Sequence, residues 1–165
     1  MRLSQSTTVP ICTGEDIYLA DGFQDLLEKR AVSVIHPDIL SSGGILENKK
    51  IGDLAEKHGV AMAVHMAETP VSAYACVHSV AATRNFYVLE NHSVDVDWWD
   101  DIVIGSPAEG KIVDNGYIKV PDKPGLGIDD WNDEVIKEHL HPMFPEMWPE
   151  TTYFDRMVSN DRLWS

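Results

Sequence analysis

Four short β-prone runs, separated by helical patterns and each ending at an ionisable side chain, constrain the fold of this chain more than any other feature. The runs begin near residues 8, 32, 60 and 86, and their spacing approaches the roughly 30 residues of a full βαβ motif. The clearest unit starts at Val32-Ser33-Val34-Ile35. This β-branched stretch stops at His36-Pro37-Asp38, where proline removes a backbone donor and discourages further strand. After Ser41-Ser42-Gly43-Gly44, apolar residues at Ile45, Ile51, Leu54 and Ala55 follow near-helical spacing up to the stop signal Lys57-His58-Gly59. Val60-Ala61-Met62-Ala63-Val64 then repeats the buried-strand pattern and ends on His65.

The flanking units follow the same plan. Residues 7–13 are β-prone but interrupted by Pro10, and Gly14-Glu15 closes them. In residues 19–30, Leu19, Phe23, Leu26 and Leu27 lie at helical spacing, with Asp21 and Asp25 early and Lys29 and Arg30 late, as the helix dipole prefers. Residues 71–83 read as a helix of small side chains, and Phe86-Tyr87-Val88-Leu89 as a strand ending at Glu90. Regular βα alternation predicts an α/β fold with a parallel sheet and outer helices, either an open doubly wound sheet or part of a barrel. A complete (β/α)₈ barrel needs roughly 250 residues, so these units supply about half of one. Beyond Asn91 the pattern changes to Trp98-Trp99, the run 102–104, and a hairpin signal at Asp114-Asn115-Gly116 between residues 111–113 and 117–120. Pro124-Gly125-Leu126-Gly127 is a turn, residues 129–139 are a helix candidate, and the tail carries Trp131, Trp148 and Trp164. Residues 1–95 are expected to form four βα units of a partial barrel, and 96–165 a return segment with a hairpin and an irregular tail.

Composition excludes several functions. A net charge of −14 argues against nucleic acid, whose binding draws on clustered Lys and Arg. No apolar run approaches the roughly 18 residues of a membrane span, and no signal peptide opens the chain, so the expectation is a cytoplasmic protein without a membrane partner. Cys12 and Cys76 form no ligand-spaced pair and read as reduced thiols.

The chemistry lies in the strand ends. Parallel strands place Glu15, Asp38, His65 and Glu90 on one C-terminal rim, where such folds keep their active sites. Any one of them alone would read as a helix cap or a solvated side chain. A histidine bonded to a carboxylate has its tautomer fixed and its protonated form stabilised, so His65 with Asp38 makes a general acid/base. Glu15 suits a hard cation such as Mg²⁺, although one carboxylate is not a metal site. Glu90, if its neighbours keep it protonated, could donate a hydrogen bond to a developing oxyanion.

Taken in order, Gly14-Glu15, Pro37-Asp38 with Ser42-Gly43-Gly44-Ile45, the strand ending at His65, Leu89-Glu90 and Pro124-Gly125-Leu126-Gly127 resemble the C-terminal part of the enolase superfamily. The likeness is to its mandelate racemase and muconate lactonizing enzyme branch, which includes acid-sugar dehydratases. The resemblance implies that Glu15 is the last of three carboxylate ligands for Mg²⁺, that His65 and Asp38 are the catalytic dyad, and that Glu90 hydrogen-bonds the substrate carboxylate. It carries no role onto His36. The implied reaction removes the proton α to a carboxylate and eliminates the β-hydroxyl of a sugar acid or another α-hydroxy carboxylate, giving a 2-keto-3-deoxy acid. A racemase or epimerase of the same branch is the alternative.

The family's other two metal ligands and its lysine base motif belong to earlier strands than any in this chain. The chain is therefore expected to be the C-terminal portion of a larger, homo-oligomeric enzyme and inactive alone, either as a fragment or as a subunit that needs its other half. Other features read as ordinary. Asp95, Asp97, Asp100 and Asp101 form a solvated acidic surface, Gly43-Gly44 a tight βα turn, and Trp98-Trp99 either a substrate mouth or an anchor for its loop.

Overall fold

A computed structural model describes residues 2–108, 110–143 and 146–148. After a short helix α1 (Arg2–Gln5), strands and helices alternate: β1 (Cys12–Thr13), α2 (Leu19–Glu28), β2 (Val34–Ile35), α3 (Gly44–Lys57), β3 (Ala61–Val64), α4 (Pro70–Ala81) and β4 (Phe86–Leu89). The four strands form one sheet in the order β1-β2-β3-β4, and every neighbouring pair is parallel. A doubly wound sheet needs a point where strand order reverses. This order has none, so right-handed crossovers deliver the three connecting helices, α2, α3 and α4, to the same face, as in the wall of a barrel. The packing agrees, with α2 against α3 and α3 against α4.

Side-chain character explains how each element is used. Phe23 and Leu27 are the buried stripe of α2, and Ile51 and Ala55 that of α3. Helix α4 has buried residues around most of its circumference, including Ala73, Tyr74, Cys76, Val77 and Val80, as a helix apolar on nearly all sides should. On the sheet, Ile35, Met62 and Val64 are fully buried. Cys76 lies in this core, where burial pushes its thiol up to about 12, whereas Cys12 is exposed; both are free thiols.

The observed elements differ from expectation in two places. Of residues 7–13 only Cys12 and Thr13 pair as strand, because Pro10 has no donor to offer β2. The Asn115-Gly116 turn forms as expected: both residues have positive φ (48° and 81°), and Asp114 and Tyr117 exchange two backbone hydrogen bonds of 2.9 Å. Its flanks do not continue as a ladder. The antiparallel pair in this region is instead β5 (Val103–Ile104) with β6 (Asp130–Trp131). Asp130 and Trp131 therefore precede the last helix among the described residues, α5, which runs Asp133–Glu138, capped by Asn132. The chain divides into two compact units at the Trp131/Asn132 junction. Residues 149–165, and with them Trp164 and most of the expected tail, lie outside the described residues.

Candidate active site at the strand rim

Each strand hands its site residue to the rim through a different local device. Gly14 ends β1 at φ 141°, and a Cβ there would lie 2.7 Å from a ring carbon of Phe23 and 3.2 Å from the backbone nitrogen of His36, so only glycine lets the backbone turn to present Glu15. Asp38 follows Pro37 and pairs with His65 in an isolated parallel bridge that extends the β2/β3 register. Its Oδ1 accepts from the Leu40 and Ser41 amides at 2.9 and 2.8 Å, which closes the turn into α3. The Glu90 amide donates to the Val64 carbonyl at 3.0 Å, holding the end of β4 beside β3.

The rim brings Glu15, Asp38, His65 and Glu90 together. His65 Nδ1 is 2.9 Å from Asp38 Oδ2, and since an ionised carboxylate only accepts, Nδ1 carries the hydrogen. His65 Nε2 faces Glu15 Oε2 at 3.1 Å and Glu90 Oε2 at 3.7 Å. Burial works against the His65 imidazolium, but the hydrogen bond to Asp38 and the charges of Glu90, Asp38 and Glu15 outweigh it and raise the pKa. Asp38 shows the complementary balance: burial alone would raise it, and hydrogen bonds from His65 and Ser41 bring it below the usual carboxylate range.

Three participants in this cluster carried no role in the sequence. Glu68 accepts from the Ser72 hydroxyl at 3.0 Å and the Ala67 amide at 3.1 Å, and its other oxygen is 3.8 Å from His65 Nδ1. Burial, then the neighbouring Asp38, raises its pKa. A carboxylate three residues after a strand-end histidine, with a serine four residues further on, is a signal that could have exposed it. His36 and His92 both approach Glu90, through Oε2 at 3.1 Å and Oε1 at 2.9 Å. Their effect runs against the condition under which Glu90 could donate a hydrogen bond, that its neighbours keep it protonated. Burial favours the neutral acid, but the hydrogen bond to His92 and the charge and hydrogen bond of His36 outweigh it, and the pKa falls. Trp99 is an anchor: its side chain is buried, and its indole N–H donates to the Glu68 carbonyl at 2.7 Å.

Metal fit follows from the donors. Asp38, His65 and Glu68 offer ligand atoms within 4.8 Å of one another. Asp38 is already committed to three hydrogen bonds, and Mg²⁺ prefers an all-oxygen shell, so this trio is a hydrogen-bonded cluster rather than a magnesium cage. Glu15, with 55% of its side chain exposed, has one accessible carboxylate, which a hard cation could use as a single ligand but which is not a metal site by itself. A cavity of about 250 Å³ lined by Thr13, Gly14, Glu15 and His36 opens beside it. The larger apolar hollow lined by Val77, Phe86, Tyr87 and Tyr117 contains no carboxylate or imidazole and is not where the chemistry lies.

Comparison with known proteins identifies the family. Residues 1–134 match the family model described as enolase C-terminal domain-like. The chain is 40% identical over 126 residues to the D-xylonate dehydratase of Haloferax volcanii, covering 76% of this chain and 30% of that protein. It is 31% identical over 146 residues to the D-galactonate dehydratase of Variovorax paradoxus, covering 86% and 37%. A mandelate racemase/muconate lactonizing enzyme-like protein from Rubrobacter xylanophilus superposes with a TM-score of 0.80 at 38% identity, over 86% of this chain and 35% of the other. The chain thus spans about a third of the length of the relatives it matches. A one-way wound parallel sheet, its acid and imidazole rim and these likenesses agree: the chain belongs to the enolase C-terminal domain-like family.

Proposed function

We propose that this chain supplies the His65–Asp38 dyad and one metal-ligating carboxylate, Glu15, to an Mg²⁺-dependent acid-sugar dehydratase. The observation that carries the reading is the 2.9 Å contact between His65 Nδ1 and Asp38 Oδ2, which leaves Nε2 as the nitrogen facing the rim. Relatives named as xylonate, arabinonate and galactonate dehydratases support the substrate class. Bound Mg²⁺ would supply Lewis-acid stabilisation of negative charge on the substrate carboxylate. Glu15 would be one of its ligands, with further oxygens from outside the described residues.

In this reading His65 moves a proton at Nε2, while Asp38 fixes its tautomer and stabilises the imidazolium. Removal of the proton α to the carboxylate and loss of the β-hydroxyl, which leaves with a proton as water, give an enol that becomes a 2-keto-3-deoxy acid. In the same reading Glu90, with His36 and His92 beside it, would meet the substrate carboxylate. Residues 1–95 serve as barrel units and 96–165 as the return segment in the same proposal. The test is incubation of the protein, in the form its host makes, with a panel of aldonic and aldaric acids and Mg²⁺. A 2-keto-3-deoxy product that disappears in His65→Asn is expected. Stereoinversion without keto product would replace the dehydratase by a racemase, and no turnover of any acid would leave a chain without activity of its own.

A further inference from the structure

His36 has no part in the chemistry above, yet its partners fix where its hydrogens lie. Its Nδ1 is 3.0 Å from the Ala63 carbonyl oxygen, which can only accept, so Nδ1 bears a hydrogen. In a neutral imidazole that leaves Nε2 bare. But Nε2 is 3.1 Å from Glu90 Oε2, and a bare nitrogen against an ionised carboxylate is two acceptors with no hydrogen between them. The contact is a hydrogen bond only if it contains one further proton. The other Glu90 oxygen is occupied by His92 Nε2 at 2.9 Å, and His65 Nε2 lies 3.7 Å from Oε2, so three imidazoles surround this carboxylate. Burial notwithstanding, His92 and His36 hold Glu90 below its ordinary range, which places the extra proton on nitrogen. The ring is well held. Its backbone N–H donates to the Thr13 carbonyl at 2.9 Å, its side chain is 18% exposed, and it meets His65 edge-on at 5.4 Å between centroids.

We propose that His36 is a positioning residue whose Nε2 hydrogen is held against Glu90, making His36–Glu90 a further histidine–carboxylate pair beside His65–Asp38. The pair cancels the charge of Glu90 on a rim that also carries Glu15, Asp38 and Glu68. Without it, an anionic substrate would approach a concentrated negative field. That consequence for substrate rests on the dehydratase reading; the pair itself does not.

The test is a long-range ¹H–¹⁵N correlation spectrum of the labelled chain at pH 7. Both ring nitrogens of His36 are expected to carry hydrogen. In Glu90→Gln, whose amide can donate to Nε2, the Nε2 hydrogen is expected to be lost while Nδ1 keeps its own. A bare Nε2 or a bare Nδ1 in the wild type overturns the proposal, as does an Nε2 hydrogen that persists in Glu90→Gln. His36→Gln, which retains a donor but not the charge, provides an independent reading: the Glu90 carboxyl ¹³C titration should move to higher pH, and an unmoved titration also overturns it. All of these are read on the resting chain. Absence of sugar-acid turnover alongside an intact His36 signature would count against the dehydratase reading alone.

Discussion

Replacing Asp38 by Asn removes a charge and keeps the shape, which isolates what the carboxylate does for His65. The asparagine carbonyl can retain the Leu40 and Ser41 amide bonds now made by Oδ1, and this leaves its NH₂ facing His65 Nδ1. Two donors cannot share that contact, so the imidazole must take the other tautomer, with its hydrogen on Nε2. A hydrogen bond to a charged group contributes about 1.5–3 kcal/mol and a neutral one about 0.5–1.5, so the exchange costs about 1–1.5 kcal/mol. At about 1.36 kcal/mol per pKa unit, the His65 midpoint should fall by about one unit.

The pH dependence has a defined sign. The folded-state pKa of His65 is raised, so its contribution is complete below the unfolded value of about 6.5 and is lost as pH rises through the folded value. That of Asp38 is lowered, so its contribution is complete above about 4 and is lost as pH falls through the folded value. The stability gap between wild type and Asp38→Asn should be widest between about pH 4 and 6.5 and narrow on both sides. Imidazole NMR titration gives the midpoint and the tautomer, and urea unfolding across pH gives the gap. An unchanged midpoint together with a gap that stays flat across pH would refute the reasoning.

Three further expectations follow from the same geometry. Because burial and Asp38 raise the pKa of Glu68, its ionisation opposes folding, so Glu68→Gln should gain stability relative to wild type as pH rises from 4 to 8; urea midpoints that run parallel over that range would contradict this. Gly52 lies inside α3, where a Cβ would meet the Thr83 methyl at 2.6 Å and the Met62 sulfur at 2.9 Å, so Gly52→Ala should lose about 1–3 kcal/mol by overpacking instead of gaining helix propensity, as a thermal melt would show. If Glu15 is the one carboxylate this chain gives to Mg²⁺, as proposed, the chain should bind Mg²⁺ weakly, and micromolar affinity by titration calorimetry would be inconsistent with that donor set.

Much of the fold could be read from the order of residues because the signals were strong and local. The β-branched run 32–35 stopped by Pro37, the glycine stop after Lys57 and the small-residue helix before Phe86 each specify one element, and sequential parallel pairing follows from their alternation. That same alternation implied that Asp38 and His65 would meet. What escaped had no periodic signature. A two-residue strand such as Asp130–Trp131 is too short to show alternation and depends on its partner Val103–Ile104. Glu68 and His92 lie in loops just beyond the strands, so their reach to the rim is a tertiary outcome. His36 at the end of its strand has no local signal either, because the carbonyl and carboxylate that define it come from residues 27 and 54 positions away.

A double-mutant cycle on Asp38 and His65, using Asp38→Asn, His65→Asn and the pair, measures whether the two side chains interact as the rim geometry requires. At pH 5.5, where Asp38 is ionised and His65 protonated, the coupling in unfolding free energy should be about 1–3 kcal/mol. Losses that simply add would mean that imidazole and carboxylate do not form the dyad on which the account rests.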